Sequence, residues 1–357
     1  MSCYNPISAF VVGINKDTGK KIISFSKDPA IKDLRAFEAI QIPCGKCIGC
    51  RLDYSRTWAD RCMLENQYHK NSWFLTLTYD DDHLPPKKEG SPIHSLRKED
   101  FQNFIKSLRQ KMFDDYVSSN EYAKLYYSKK KGSNWKSEFK NDYPEEYKEF
   151  IENVPKLRYF GCGEYGSMSK SCRPHLHILL YGVPITDAKT HRVDRNTGYI
   201  YYTSDYIADI WNYGFHLLTK VTWETCAYTA RYVVKKQKGE NSKIYEELNY
   251  EPEFVLMSRK PGIGAKWFLD HPDIVTTPHY IGTSKGSKKI MSNKYFDTLF
   301  ENMFDDNIEE IKLERKRSQS IKTELKMSLT SQSYSDMLRS EEINKEAAIK
   351  SLKRKEV

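Results

Sequence analysis

Arg173-Pro174-His175-Leu176-His177-Ile178-Leu179-Leu180-Tyr181-Gly182 is the stretch on which the fold turns. Aliphatic or aromatic residues fill nearly every position after Pro174, and Gly182 closes the run, the pattern of a buried β-strand. Side chains alternate between faces along a strand, so His175 and His177 share one face while Leu176 and Ile178 take the other. Two imidazoles side by side can hold a metal ion; they can equally be core histidines satisfied by hydrogen bonds. The flanking sequence decides between these.

Upstream, Leu157-Arg158-Tyr159-Phe160-Gly161-Cys162-Gly163-Glu164-Tyr165-Gly166 reads as a strand running into a glycine-flanked turn. The two strands are close enough in sequence to form an antiparallel hairpin, in which Glu164 faces His175 and His177 across the sheet. Two imidazoles and one carboxylate, with positions left open, make a catalytic metal site rather than a closed structural one. Downstream, Glu224-Thr225-Cys226-Ala227-Tyr228-Thr229-Ala230-Arg231-Tyr232-Val233-Val234-Lys235-Lys236 suits a helix, although its β-branched residues weaken that reading. On a helix Tyr228 and Tyr232 lie on one face, with Lys235 and Lys236 about one turn further on. An amphipathic core helix with packed tyrosines and solvated lysines has the same pattern.

Taken together, these parts carry phosphodiester chemistry. A divalent ion on Glu164, His175 and His177 polarises a phosphodiester oxygen and orients it for in-line attack. Tyrosine, with a reference pKa of about 10, needs the ion and a neighbouring Lys235 or Lys236 to favour its phenolate. Attack by Tyr228 or Tyr232 on DNA leaves a 5'-phosphotyrosine and a free 3'-hydroxyl, and the conserved bond energy lets the step reverse. A second tyrosine allows a second cut while the first stays occupied.

The rest of the chain fits a polyanionic partner. Its 357 residues are 39% hydrophobic and 13% aromatic, with 25 tyrosines and a net charge of +9; mean hydropathy is -0.71. Residues 301–357 hold 12 Lys/Arg and 12 Asp/Glu, so the basic excess belongs to residues 1–300, and nucleic acid is the first partner to expect. No run reaches the roughly 20 apolar residues of a membrane helix, and Met1-Ser2-Cys3-Tyr4-Asn5-Pro6 lacks a signal-peptide pattern. In a cytosol the eight cysteines are thiols or metal ligands rather than disulfides. Cys44, Cys47 and Cys50 stand at three-residue spacing on a glycine-containing loop, and Cys3 or Cys62 could complete a four-sulfur zinc site; a cluster of free thiols is the alternative.

Organisation follows from the same reading: an N-terminal cysteine module (1–70), a nuclease domain (71–240) with an insertion at about 114–156, a basic extension (241–300) and a charged helical tail (301–357). A helix is expected from Leu52 to about His69, a strand over Trp73–Tyr79, a solvated turn at Asp80-Asp81-Asp82, and a helix capped by Ser95 running to about Phe113. The insertion is expected to be partly helical. A short helix capped by Ser204 and a strand at 216–222 should follow. In Met257-Ser258-Arg259-Lys260-Pro261-Gly262-Ile263-Gly264, amides of the glycine loop could approach a phosphate backbone.

The His-x-His strand, the upstream acid and the downstream tyrosine helix resemble the HUH endonucleases, which cleave single-stranded DNA. Phe74-Leu75-Thr76-Leu77-Thr78-Tyr79, the cysteine knuckle and Ser258-Arg259-Lys260-Pro261-Gly262-Ile263-Gly264 extend the resemblance, in order along the chain, to replication initiators of the microviruses, especially the gokushovirus branch. The resemblance implies an α+β fold, a mainly antiparallel sheet with flanking helices, and a rolling-circle initiator that nicks the viral origin and later recloses the strand into circles. It implies Tyr228 and Tyr232 as nucleophiles, assisted by Lys235 and Lys236, with Glu164, His175 and His177 on Mg2+ or Mn2+. Arg173, Arg231, Arg259 and Lys260 are candidate DNA contacts. Host replication helicase and polymerase are implied partners, in the cytoplasm of a bacterial host. A non-catalytic single-stranded-DNA-binding protein, or an HUH transposase or relaxase, would share many of these features.

Overall fold

The structure is a computed structural model and describes residues 3–16, 21–25, 38–129, 134–166, 172–195, 198–235, 243–283, 286–304 and 308–351, with side chains at all of these except 128, 129, 232–235, 350 and 351. The chain forms two compact units, one from residues 1–57 with 303–357, the other from Trp58–Asn302.

The first unit begins with a small antiparallel sheet of order β2-β1-β3, made by β1 (Ile7–Ile14), β2 (Lys21–Ser24) and β3 (Glu38–Ile42). The cysteine loop leads from it into α1 (Ile48–Asn66). This helix starts earlier than the expected Leu52 because the Cys47 carbonyl accepts the Arg51 amide at 3.1 Å, so the first turn is wound within the knuckle itself.

The second unit is built on a seven-stranded sheet. Its strands are β4 (Ser72–Thr78), β5 (Arg158–Tyr165), β6 (Pro174–Tyr181), β7 (Lys189–Val193), β8 (Ile200–Thr203), β9 (His216–Lys220) and β10 (Phe254–Met257), in the order β10-β5-β6-β4-β9-β8-β7. Every adjacent pair is antiparallel. Alternation sorts side chains to two faces. One face carries Trp73, Leu75, Leu77, Leu176, Ile178 and Leu180, and α2 (Lys98–Ser119) lays Phe101, Phe104, Ile105 and Leu108 against it. Close approach is possible because β5 has glycines there: a Cβ on Gly161 would sit 2.8 Å from the Phe101 ring, and one on Gly163 would sit 2.6 Å from Phe254. The expected mixed fold with a large antiparallel sheet and flanking helices is therefore what forms.

Ser95 does not cap α2. The helix begins after Arg97 without a side-chain cap, and Glu99 and Asp100 in its first turn complement the helix dipole. The Ser95 hydroxyl instead accepts the Glu251 amide at 2.9 Å. The insertion is more ordered than its composition suggests. The end of α2 with α3 (Glu121–Lys129), α4 (Trp135–Asp142) and α5 (Pro144–Asn153) encloses an aromatic cluster of Trp135, Phe139 and Phe150, ringed by Tyr116, Tyr122 and Tyr126. Ser204 does cap its helix, α6 (Asp205–Ala208), accepting the Ile207 amide at 3.3 Å.

The opposite face of the sheet is covered over its apolar part by α1 and by α7 (Trp223–Lys235), which bury Ala59, Cys62, Cys226 and Ala230 against Phe74, Phe160, Leu179 and Tyr181. Beyond α8 (Lys243–Glu247) and β10, the loop 258–264 is fastened to the same side. Arg61 lies between the rings of Trp58 (4.2 Å) and Tyr295 (3.9 Å) and donates to the Ile263 carbonyl at 2.9 Å. Buried Glu65 accepts from Arg158 and, at 2.7 Å, from the Gly264 amide, with His69 at 3.3 Å. Burial works to raise the Glu65 carboxyl, but His69, Arg158 and the amide outweigh it and hold it down at about 2. A carboxylate depressed in the folded state contributes stability that is present above its ordinary value near 4.5 and is lost as pH falls from there towards 2. The contribution is of order 3 kcal/mol. Glu65→Gln should lower the thermal midpoint at pH 7, and the deficit relative to wild type should shrink below about pH 4; melts across that range would show a constant deficit if the carboxylate charge were unimportant.

The remaining elements of this unit are α9 (Ala265–Asp270), the hairpin of β11 (His279–Thr283) and β12 (Gly286–Ile290), and α10 (Lys294–Met303), whose last residue crosses the boundary. The first unit is then completed by α11 (Ile308–Ser328) and α12 (Tyr334–Ser351). The N-terminal strands and the charged tail, separate in the sequence reading, thus share one unit, linked by pairs such as Lys316 with Glu38 at 3.0 Å and Asn5 with Glu342 at 2.9 Å.

Candidate active site

Register fixes what the sheet presents on the face shared with α7. Glu164 pairs directly with His175, which pairs with Thr78; one row further, Cys162 pairs with His177, which pairs with Thr76. The next row, Phe160, Leu179 and Phe74, is apolar and lies beneath the helices. The ionisable rows therefore sit at the end of a covered apolar surface, where burial strengthens electrostatic interactions.

Glu164 Oε1 lies 2.8 Å from His175 Nε2 and 3.0 Å from His177 Nε2. The other nitrogen of each ring is engaged: His175 Nδ1 is 3.1 Å from the Arg173 carbonyl and His177 Nδ1 is 3.0 Å from the Thr76 hydroxyl. A carbonyl only accepts, so His175 carries its proton on Nδ1, which leaves the Nε2 lone pair facing the carboxylate. Two neutral imidazoles so arranged would set lone pairs against Oε1, and a cation relieves that repulsion. The three ligand atoms lie within 4.8 Å of one another. Separations near 3 Å match neighbouring ligands on an octahedral ion with bonds of about 2.1 Å, so these residues fit a divalent metal. Burial works to raise the Glu164 carboxyl, but hydrogen bonds from His175 and His177 prevail and bring it to about 2. Glu164 and His177 are each 3% exposed and His175 is 17% exposed, so the group opens to solvent on the His175 side.

The helix α7 is aimed at this group by its own N-terminus. Thr222 Oγ1 accepts the Thr225 amide at 3.2 Å while Thr225 Oγ1 accepts the Thr222 amide at 2.9 Å, a reciprocal cap. Trp223 Nε1 anchors the first turn on Asp60 at 3.1 Å. With Cys226 and Ala230 buried, the next position around the helix brings the Tyr228 ring edge-on to His177, centroids 5.1 Å apart, and to Phe74 at 5.9 Å. The Arg231 guanidinium lies 5.4 Å from the same ring and sets a positive charge beside the phenol. A tyrosine, two histidines and a carboxylate from three separate elements thus converge.

Residues 125–237, which contain all four, match the family model of the phage replication-associated protein ORF2. The chain is 32% identical over 318 residues to replication-associated protein ORF2 of Spiroplasma virus 4, an alignment covering 88% of this chain and 85% of that protein. It belongs to the replication-associated proteins of microvirus-like phages. Replication-associated protein VP4 of Bdellovibrio phage phiMH2K is 32% identical over 83% of this chain and 76% of its own length. Replication-associated protein ORF4 of Chlamydia phage 1 is 26% identical over 55% of this chain and 38% of its own length. No solved structure matches.

Of the other residues singled out in this replication-associated protein, Tyr232 and Lys235 lie on α7, Tyr232 one turn beyond Tyr228, with side chains outside those described; Lys236 lies outside the described residues. Arg173 is held by Asp81 at 2.5 Å and by the Tyr79 carbonyl at 2.9 Å, which ties the aspartate turn to the start of β6. Arg259 and Lys260 are exposed on the fastened loop. Cys3, Cys44, Cys47 and Cys50 bring their sulfurs within 4.8 Å of one another, whereas Cys62 is buried beneath the sheet with Cys226. Burial works to raise the Cys47 thiol, but the Cys50 and Tyr4 amides and the neighbouring thiols bring it to about 7. The sequence reading assigned no role to Thr76. Its position in an alternating strand signals a face, but only register shows that it meets His177.

Proposed function

We propose that this replication-associated protein is a rolling-circle initiator that nicks the viral origin by transesterification. The observation that carries the reading is the Tyr228 ring against His177, beside the Glu164, His175 and His177 group. In the proposed step, Tyr228 or Tyr232 Oη attacks the scissile phosphorus and loses its proton. The bond from phosphorus to the 3'-oxygen breaks, and that oxygen leaves as a 3'-hydroxyl after taking a proton. The product is a 5'-phosphotyrosine, and the 3'-hydroxyl can prime synthesis or reverse the step. Glu164, His175 and His177 would hold Mg2+ or Mn2+, which when bound supplies Lewis-acid polarisation of the phosphate. Arg231 complements negative charge on the phenolic oxygen, and Lys235 and Lys236 at the end of α7 complement the phosphate. Origin DNA is the substrate, host helicase and polymerase extend the primer, and the reaction takes place in the cytoplasm of the bacterial host.

The test is incubation with Mg2+ or Mn2+ and an end-labelled single-stranded origin oligonucleotide. The expected product is a denaturation-resistant protein–DNA adduct with a shortened free strand. Salt-sensitive binding without any adduct on a proven cognate sequence would instead leave a non-catalytic DNA-binding protein.

Residues around the site have their own expected effects. Thr76→Val keeps shape but removes the oxygen that orients His177, so the Mn2+ concentration for half-maximal cleavage should rise about 10- to 100-fold. Thr76→Ser should restore it, which a purely packing role for Thr76 would not require. Arg259→Ala with Lys260→Ala should weaken binding to single strands of any sequence and flatten the dependence of log K on log salt by about 0.7 per lost phosphate contact. An unchanged salt slope in titrations would remove this loop from the interface.

A further inference from the structure

We propose that Cys3, Cys44, Cys47 and Cys50 bind one structural Zn2+ that holds the first unit together. The cluster is separate from the proposed active site and uses a different donor chemistry. All four sulfurs lie within 4.8 Å of one another, and Cys3 and Cys47 Sγ are 4.0 Å apart. Tetrahedral thiolates around zinc at about 2.3 Å would be separated by about 3.8 Å. The sulfurs are thus spaced for a single ion and too closely for a multi-iron cluster. Four protein ligands close the coordination sphere, which makes the site structural, in contrast to the open carboxylate and histidine group.

The backbone around the sulfurs is arranged for negative charge. Cys44 Sγ accepts the amides of Lys46 (3.4 Å) and Cys47 (3.3 Å), and Cys47 Sγ accepts those of Tyr4 (3.4 Å) and Cys50 (3.5 Å). Cys3 Sγ accepts the Cys44 amide at 3.3 Å. Amide donors turned onto sulfur stabilise thiolates rather than neutral thiols. Cys50 also lies in the first turn of α1, where the helix dipole favours an anion.

A second, independent observation is how little else holds this unit. Among its described residues the buried apolar side chains are Cys3, Ala9, Cys47, Ile308, Met337 and Leu338, two of them members of the cluster. Ile7, Ile14, Ile22, Ile23 and Phe25 on or beside its sheet are exposed. The ion pairs that join its two chain segments are on the surface, where such pairs add little. A unit with so small a core needs a cross-link, and a metal joining Cys3 to the loop at 44–50 supplies one across about forty residues of chain.

The experiment uses the full chain purified under reducing conditions without added metal. Elemental analysis should find about one zinc per chain, and Cys44→Ser or Cys50→Ser should lose it while Cys172→Ser, outside the cluster, keeps it. Because serine variants can fail to fold, wild-type protein stripped with chelator and reloaded with Co2+ provides a separate reading: intense visible bands and near-ultraviolet charge-transfer bands of a tetrahedral thiolate site. Limited proteolysis of the stripped protein should cut within residues 1–57 or 303–357 before it cuts within 58–302. Absence of stoichiometric metal together with absence of the cobalt–thiolate bands would overturn the site. Stoichiometric iron in place of zinc would overturn its identity. Neither outcome depends on whether the protein nicks DNA.

Discussion

A protein carrying Tyr228→Phe and Tyr232→Phe together should form no denaturation-resistant adduct on an origin oligonucleotide, and should cut it at least about a thousandfold more slowly than wild type. The substitution removes one oxygen from each side chain. It leaves the Tyr228 ring to pack on Phe74 and His177 as before, so folding and metal binding should survive. Tyr228→Phe alone should shift the adduct to Tyr232, readable by mapping the DNA-linked peptide, because the two lie one helical turn apart on α7. Either single variant should also lose strand joining, since release of a circle needs a second phenol to cut while the first holds the 5' end. Adducts that persist in the double variant would sink the tyrosine mechanism. Adducts in both single variants with full strand joining would sink the alternation of the two.

How much of this could be read from the chain depends on the distance between partners. Glu164 and His175 are joined by one short connection, so antiparallel pairing alone sets them opposite one another, and the structure pairs them in register. The period of α7 likewise brought Tyr228 and Tyr232 to one face. Thr76 and His177 are 101 residues apart, and no local pattern gives the register between β4 and β6. The same difficulty hid the true partner of Ser95, the Glu251 amide, since a serine before a helix looks like a cap wherever its hydroxyl goes. In the insertion, α3, α4 and α5 are each too short for an apolar period to show, so their shared aromatic cluster could be seen only once they were folded together. The union of the N-terminal strands with α11 and α12 rests on polar pairs between distant segments, which leave no periodic trace.

Alanine at His175 or at His177 should each abolish nicking, by at least about a thousandfold, yet the two variants should differ in stability. Both changes remove an Nε2 from the group around Glu164 Oε1. With one imidazole gone, the buried carboxylate keeps a single ring partner and the metal loses one of three protein ligands. His177 is also part of the packing: it stacks on Phe74 at 5.5 Å and meets Tyr228 edge-on, so His177→Ala opens a cavity and should cost about 2 kcal/mol or more in unfolding free energy. His175 sits at the open side and should cost much less. Oligonucleotide affinity without metal should change only a few-fold in either variant, because the exposed cations of the loop at 258–264 lie away from the histidines, beyond the far end of β5 and β10. Cleavage assays over a Mn2+ series, anisotropy titrations and thermal melts separate the three effects. Full cleavage by either variant would remove the metal assignment, whereas parallel losses of affinity and activity would make the histidines part of the DNA surface instead.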